Sequence, residues 1–273
     1  MTPARLSPRR VLVALEASPP GLGALSEAAT LASRLGAHLE GLLVEDPDVL
    51  RAASFPAAHQ LAAPSGTVRP VDREAVEAEL RAIVARAREA LASAVRPLGL
   101  PWSFTVARGE PWREVVRATH HNDLVVLLDQ GTSTHSSAMP PRVAALARGS
   151  VLVLRRGAPL GPHLCVVHDG SQAADRALEL AISLGGRGAR LALLVLARTR
   201  EEARSIAAGA HLRHGRSEEM PATWAGGLGP DRLLRAAHRH AALLVMAAEW
   251  FELDRPRLAQ ILEATKGALL LVR

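Results

Sequence analysis

The sequence predicts an α/β protein built from two doubly wound, five-stranded parallel-sheet units in tandem, and three observations carry this. Short runs rich in valine and leucine alternate with helix-period segments. Thus Leu164–Val167 is followed by the turn His168-Asp169-Gly170-Ser171, and then by Ala177, Leu178, Ala181 and Ile182 on one helical face. The same strand-turn-helix unit opens the chain at Val11, where one constant offset lays Glu16 on Asp169, Ser18 on Ser171 and Leu25 on Leu178. A second offset, without gaps, lays Thr105, Ala107, Gly109, Arg117, His120, Gly149, Leu152 and Arg155 on Thr223, Ala225, Gly227, Arg235, His238, Gly267, Leu270 and Arg273. Short apolar strands alternating with helices require a parallel sheet covered on both faces. The halves fall at residues 1–157 and 158–273.

In chain order, Val11–Leu15 reads as a strand and Leu22–Leu35 as a helix with Leu25, Ala28, Ala29, Ala32 and Leu35 on one face. His38–Val44 is the second strand, matched by Arg190–Leu196 in the second half. The stretch Glu45–Val71 carries Pro47, Pro56, Pro64 and Pro70 without a clear period and is expected to be a long surface loop. Asp72 caps a long helix to about Arg96, with Val76, Leu80, Ile83, Val84, Ala87, Leu91 and Val95 as its stripe and Pro97 and Gly99 as its stop. Then come a strand (Ser103–Ala107), a helix (Trp112–His120), a strand (Leu124–Leu128), a short helix (Pro141–Ala147) and a strand (Ser150–Leu154). In the second half Arg200–Ala210 is expected to be a single modest helix and His211–Glu219 a polar loop.

Composition narrows the function classes. With 273 residues, 48% of them hydrophobic, the chain is long enough for two ordinary cores. Apolar runs such as Ala241–Ala248 fall far short of the ~20 residues of a membrane helix, and Met1–Arg10 has no apolar core behind its arginines, so a cytoplasmic protein without membrane contact is expected. The single cysteine, Cys165, lies inside a strand and reads as a small core hydrophobe. A net charge of +6 and a pI of 11.0 suggest nucleic acid. The arginines are nevertheless scattered, Lys266 is the sole lysine, and aromatic residues are only 3%, which argues against that partner.

Ligands of such sheets sit at the carboxyl ends of the strands, so the residues just after each strand are the candidates. Two five-stranded halves, with Asp169-Gly170-Ser171 after a first strand, Gly109 after a third and a terminal strand Val151-Leu152-Val153-Leu154-Arg155, resemble the universal stress protein family over nearly the whole chain. The resemblance implies a Rossmann-like, adenine-nucleotide alpha hydrolase-like fold. It also implies a nucleotide cradle whose positions fall here on Asp169, Gly170, Ser171, Glu16, Val44 and Gly131. Members that hold ATP use a Gly-x2-Gly-x9-Gly-Ser/Thr loop after the fourth strand, whose glycines let backbone N–H groups close on phosphates. Counted from Gly131, the remaining positions here are Thr134, Ala144 and Ala145, and in the second half the four are Glu249, Glu252, Leu262 and Glu263. Asp129 and Glu249 would further place carboxylates beside any phosphate.

The chain contains no nucleophile elbow, no Gly-x4-Gly-Lys-Ser/Thr and no His-Glu-x2-His, so no catalytic residue is assigned. The pairs His120-His121 and His238-x-His240 end matching helices and read as solvated caps, so no metal ligand is assigned. His168, at the mouth of a strand, is a candidate for holding or shuttling a proton. The expected function is a non-catalytic stress-response module without cofactor, acting on a protein partner or small ligand. The alternative is an ATP- or AMP-binding switch at the Asp169 crevice. The last strands, Val151–Leu154 and Leu269–Val272, should meet across a pseudo-twofold axis, making a pseudo-dimer within the chain, with a homodimer as a further possibility.

Overall fold

The computed structural model describes residues 8–15, 22–48, 51, 55, 59–62, 67–70, 72–129, 139–155, 160–214, 220–226, 242–251, 255–265 and 267–273. The first half begins with strand β1 (Arg10–Leu15), helix α1 (Leu22–Leu35) and strand β2 (His38–Glu45). Alternation along β1 sends Val11, Val13 and Leu15 to one core and Leu12 and Ala14 to the other, so both faces of the strand are covered. On α1, Leu25, Ala28, Ala29 and Ala32 are fully buried, as the helical period requires.

The stretch after β2 differs from the expected loop. It contains a separate antiparallel hairpin of β3 (His59–Ala62) and β4 (Thr67–Pro70), outside the main sheet. Each strand is four residues long, too short to establish a period by pattern alone, and the connection contains Pro64 and Gly66, a turn composition. Helix α2 (Arg73–Val95) follows, capped by Asp72, whose side chain accepts from the Glu74 N–H at 3.0 Å. Its later turns bury Ala87, Leu91 and Val95, and a 3-10 turn, Arg96–Leu98, ends it.

The half closes with β5 (Trp102–Arg108), α3 (Pro111–Ala118), β6 (Asp123–Asp129), α4 (Met139–Leu146) and β7 (Ser150–Arg155). Helix α3 stops two residues short of the expected His120 because Thr119 is extended (φ −84°, ψ 134°), its hydroxyl donating back to the Val115 carbonyl.

The second half comprises β8 (His163–His168), α5 (Gln172–Gly185), β9 (Arg190–Val195), α6 (Arg200–His214), β10 (Ala222–Trp224), β11 (Leu243–Ala247), α7 (Arg255–Ala264) and β12 (Ala268–Val272). Helix α6 runs four residues beyond the expected Ala210, so the first part of the expected polar loop is helical. Its last turn carries His211, Arg213 and His214, basic groups that suit a helix carboxyl end. Two of them are tied down: Arg213 to Asp175 at 2.8 Å and His211 to the Met220 carbonyl at 3.0 Å.

One ten-stranded sheet results, in the order β10-β9-β8-β11-β12-β7-β6-β1-β2-β5. Each half contributes five strands in the same parallel order, the third, second, first, fourth and fifth by position in that half. The expected meeting of the last strands is observed: β12 pairs antiparallel with β7, placing Leu269, Leu270 and Leu271 opposite Val153, Leu152 and Val151. Helices α1, α2, α5 and α6 cover one face, and α3, α4 and α7 the other.

Cys165 is 3% exposed in β8, and burial pushes its thiol up to about 12. Iodoacetamide at about pH 8 is therefore expected to leave it unmodified in the folded protein and to alkylate it in guanidinium. Rapid labelling of the native protein would contradict its burial.

Candidate functional site

The carboxyl end of β8 carries the candidate ligand acid, Asp169. After His168 the chain turns through Gly170, whose φ of +86° is the left-handed region that glycine reaches without strain, and Ser171 then caps α5. The Ser171 hydroxyl accepts from the Ala174 N–H at 3.2 Å. Asp169 Oδ1 accepts from the Ser171 N–H at 3.0 Å, closing the turn on itself. The Gly170 N–H donates to His168 Nδ1 at 3.0 Å.

That last bond fixes the His168 tautomer. With Nδ1 accepting, Nε2 carries the proton and donates to Asp175 Oδ1 at 3.1 Å. His168 is fully buried, and Asp175 also takes two bonds from Arg213, at 2.8 and 3.1 Å. His168 is thus a satisfied buried strut between strand, turn and helix. Beside it, burial pushes the His214 imidazole below its ordinary range.

The remaining Asp169 oxygen, Oδ2, accepts from the indole N–H of Trp250 at 2.9 Å. Trp250 lies on the 3-10 turn Ala248–Phe251 that directly follows β11, the segment where a phosphate loop would begin, and its side chain packs against the core on that face. Arg176 of α5 makes an ion pair with Glu249 on the same turn. Arg176 thus supplies a countercharge to Glu249 through Oε1, while Oε2 is buried without a hydrogen-bond partner among the described residues. Both oxygens of the candidate ligand acid, and the amides of Gly170, Ser171 and Ala174, are engaged by the protein's own groups.

Sequence reasoning missed Trp250 and Arg176. The usable signal for Trp250 is rarity, since in a chain with only 3% aromatic residues it stands beside Glu249. No local signal marks Arg176, whose partner is remote in sequence.

The six candidate positions do not form one site. Val44, in β2, is 6% exposed and paired with Ala107 of β5, beyond the last β1 pair, Leu15 with Leu43. Its strand stands six places from β8 in the sheet, on the order of 29 Å at ~4.8 Å per strand. Because β7 and β12 are antiparallel, the strand ends of the two halves also point to opposite edges. Glu16 and Gly131 lie outside the described residues, as do Thr132–Ser137 and the pair His238 and His240. His120 sits with Arg10 and Asp123 at the amino end of β6, and no metal-holding cluster occurs among the described residues.

Replacing Trp250 by phenylalanine keeps a ring but removes the donor to Asp169. Since Asp169 is half-buried and water can replace the indole, a loss of about 1 kcal/mol is expected in denaturant titration. An unchanged midpoint and unchanged near-ultraviolet circular dichroism would mean that the contact does not form.

No protein-family model matches the sequence, and no curated protein sequence matches it. Solved structures do match the fold. A universal stress protein from Archaeoglobus fulgidus superposes with a TM-score of 0.66 at 12% identity, over 96% of this chain and 96% of that one. A protein of unknown function from Pseudomonas aeruginosa gives 0.61 at 15% identity, over 98% and 93%. The cytoplasmic domain of a prokaryotic cation chloride cotransporter gives 0.51 at 14% identity, over 97% and 95%. The chain has the fold of universal stress proteins, and no described helix is long and apolar enough to cross a membrane.

Proposed function

We propose that the protein is a universal-stress-protein-like regulatory module that performs no catalysis and needs no nucleotide, acting through a protein partner or a small ligand. The observation that carries this reading is the Trp250–Asp169 hydrogen bond. A ligand donor reaching for that carboxylate has to displace an indole that also packs against the core. An incoming phosphate competes for amides that already serve His168, Asp169 and Ser171. Displacing satisfied groups loses affinity unless the ligand replaces every bond it breaks.

The test is mass spectrometry of small molecules released from the purified protein, followed by calorimetric titration with ATP and with AMP. The expected result is no stoichiometric nucleotide and no saturable heat. One equivalent of ATP or AMP per chain, bound tightly enough to survive purification, would establish the nucleotide switch instead.

A further inference from the structure

We propose that the cleft at the outer edge of the second half, between α6 and β10, binds a small molecule that joins a planar apolar ring to a carboxylate or phosphate. The cleft has a volume of about 440 Å3. Val195, Ala203 and Ala207 supply apolar lining, Trp224 is the aromatic wall, and Arg200 and Arg204 supply positive charge. Its lining includes Val195 and Trp224, the last residues of β9 and β10, so the cleft reaches the carboxyl ends of these strands.

The aromatic wall is held in place. The Trp224 indole N–H donates to the Ala197 carbonyl at 3.0 Å, and the Arg200 guanidinium lies 5.3 Å from the ring centroid. Gly226 leaves room for the ring, since a Cβ there would come 2.2 Å from the indole Cε2. Trp224 nevertheless remains 39% exposed. A fixed, half-exposed aromatic face loses little entropy when a second ring stacks on it.

The charge is committed only to the ring face, through Arg200 over Trp224. Arg200 and Arg204 are both exposed, and neither makes an ion pair with a described residue. The nearest sequence acid with a defined role, Glu202, is turned to the Arg198 N–H at 2.8 Å, while its own amide donates to Thr199. Two guanidinium groups one helical turn apart, beside an apolar floor, match a planar anion that presents two oxygens. Shielding of an edge strand does not explain the arrangement. In the first half the matching edge position is Val106, and the neighbouring Arg108 is spent on Glu45 at 3.0 Å.

This proposal does not rest on the Asp169 crevice, and its test reads a different set of ligands. Calorimetry and ligand-observed NMR with 2-naphthoate and phenyl phosphate are expected to show saturable binding near or below ~1 mM. Inorganic phosphate alone should bind at least tenfold more weakly than phenyl phosphate. The double variant Arg200→Gln/Arg204→Gln breaks no ion pair with a described residue and loses only the Arg200 contact to the exposed Trp224 ring, so it should lower the melting temperature by no more than about 4 °C while weakening binding at least tenfold. Trp224→Leu should weaken the ring-bearing probes and leave inorganic phosphate unaffected. The proposal is overturned if neither probe saturates, if phosphate binds as well as phenyl phosphate, or if the double arginine variant binds like wild type.

Discussion

Replacing Leu152 by alanine is expected to lower the unfolding free energy by about 2–5 kcal/mol, the range for a large buried side chain truncated where the surroundings cannot collapse. Leu152 and Leu270 face each other at the centre of the antiparallel β7–β12 pair, and both are 0% exposed. Only three residue pairs make this ladder, yet it turns two five-stranded sheets into one. Their side chains enter the core beneath α1 and α5, which contains Leu25, Ala28, Ala177 and Leu178. A cavity there removes contacts from both halves at once. Leu270→Ala should cost a similar amount, and the double variant less than the sum by roughly 0.5–3 kcal/mol, because each truncation exposes the other's cavity. Guanidinium titration of the four proteins checks this, and a loss under ~1 kcal/mol for either single variant would contradict the packing.

Arg10→Met is the second large effect, with an expected loss of about 3–5 kcal/mol. Arg10 ties three strands together at their amino ends. It bonds Asp123 of β6 at 2.5 and 3.1 Å, Glu40 of β2 at 2.8 Å and the Ala118 carbonyl at 2.6 Å. The two carboxylates hold the guanidinium above its ordinary range, and it stays charged at every accessible pH. Methionine keeps the aliphatic stem and deletes the charge, leaving the Asp123 carboxylate, whose side chain is 6% exposed, without its guanidinium and held, among the described residues, only by His120, whose backbone N–H donates to it at 2.6 Å. The cost comes from that stranded carboxylate more than from the lost attraction. Arg10→Met/Asp123→Leu should therefore recover much of the loss. If the double variant is as unstable as the sum of the two singles, the stranded charge is not the cause.

Much of the fold was legible because it rests on short-range pattern. The Leu22–Leu35 helix is read to the residue from its apolar period, and Asp72 is where a cap was expected. The duplication shows in sequence because matching positions, such as Leu152 and Leu270, do the same work on the same face. The hairpin of β3 and β4 escaped because four-residue strands carry too few alternations to establish a period. The last turn of α6 escaped because its stability comes from contacts to Asp175 and Met220, neither of them local.

The candidate site was legible in part. Asp169, Gly170 and Ser171 form the expected turn, since a glycine at positive φ followed by a serine cap is a local property. Who occupies the Asp169 carboxylate is not local. Trp250 is distant in the chain and reaches Asp169 only because β11 lies beside β8 in the sheet.

By itself the sequence determined the alternation of strands and helices, its repetition, and the turn chemistry after β8. These follow from backbone dihedral preferences and from the period of apolar residues, which act between near neighbours. The tertiary structure alone decided that Arg176 pairs with Glu249 and that an indole engages the Asp169 carboxylate. Strand pairing and side-chain contact between remote residues depend on how whole surfaces fit. No local pattern encodes that fit.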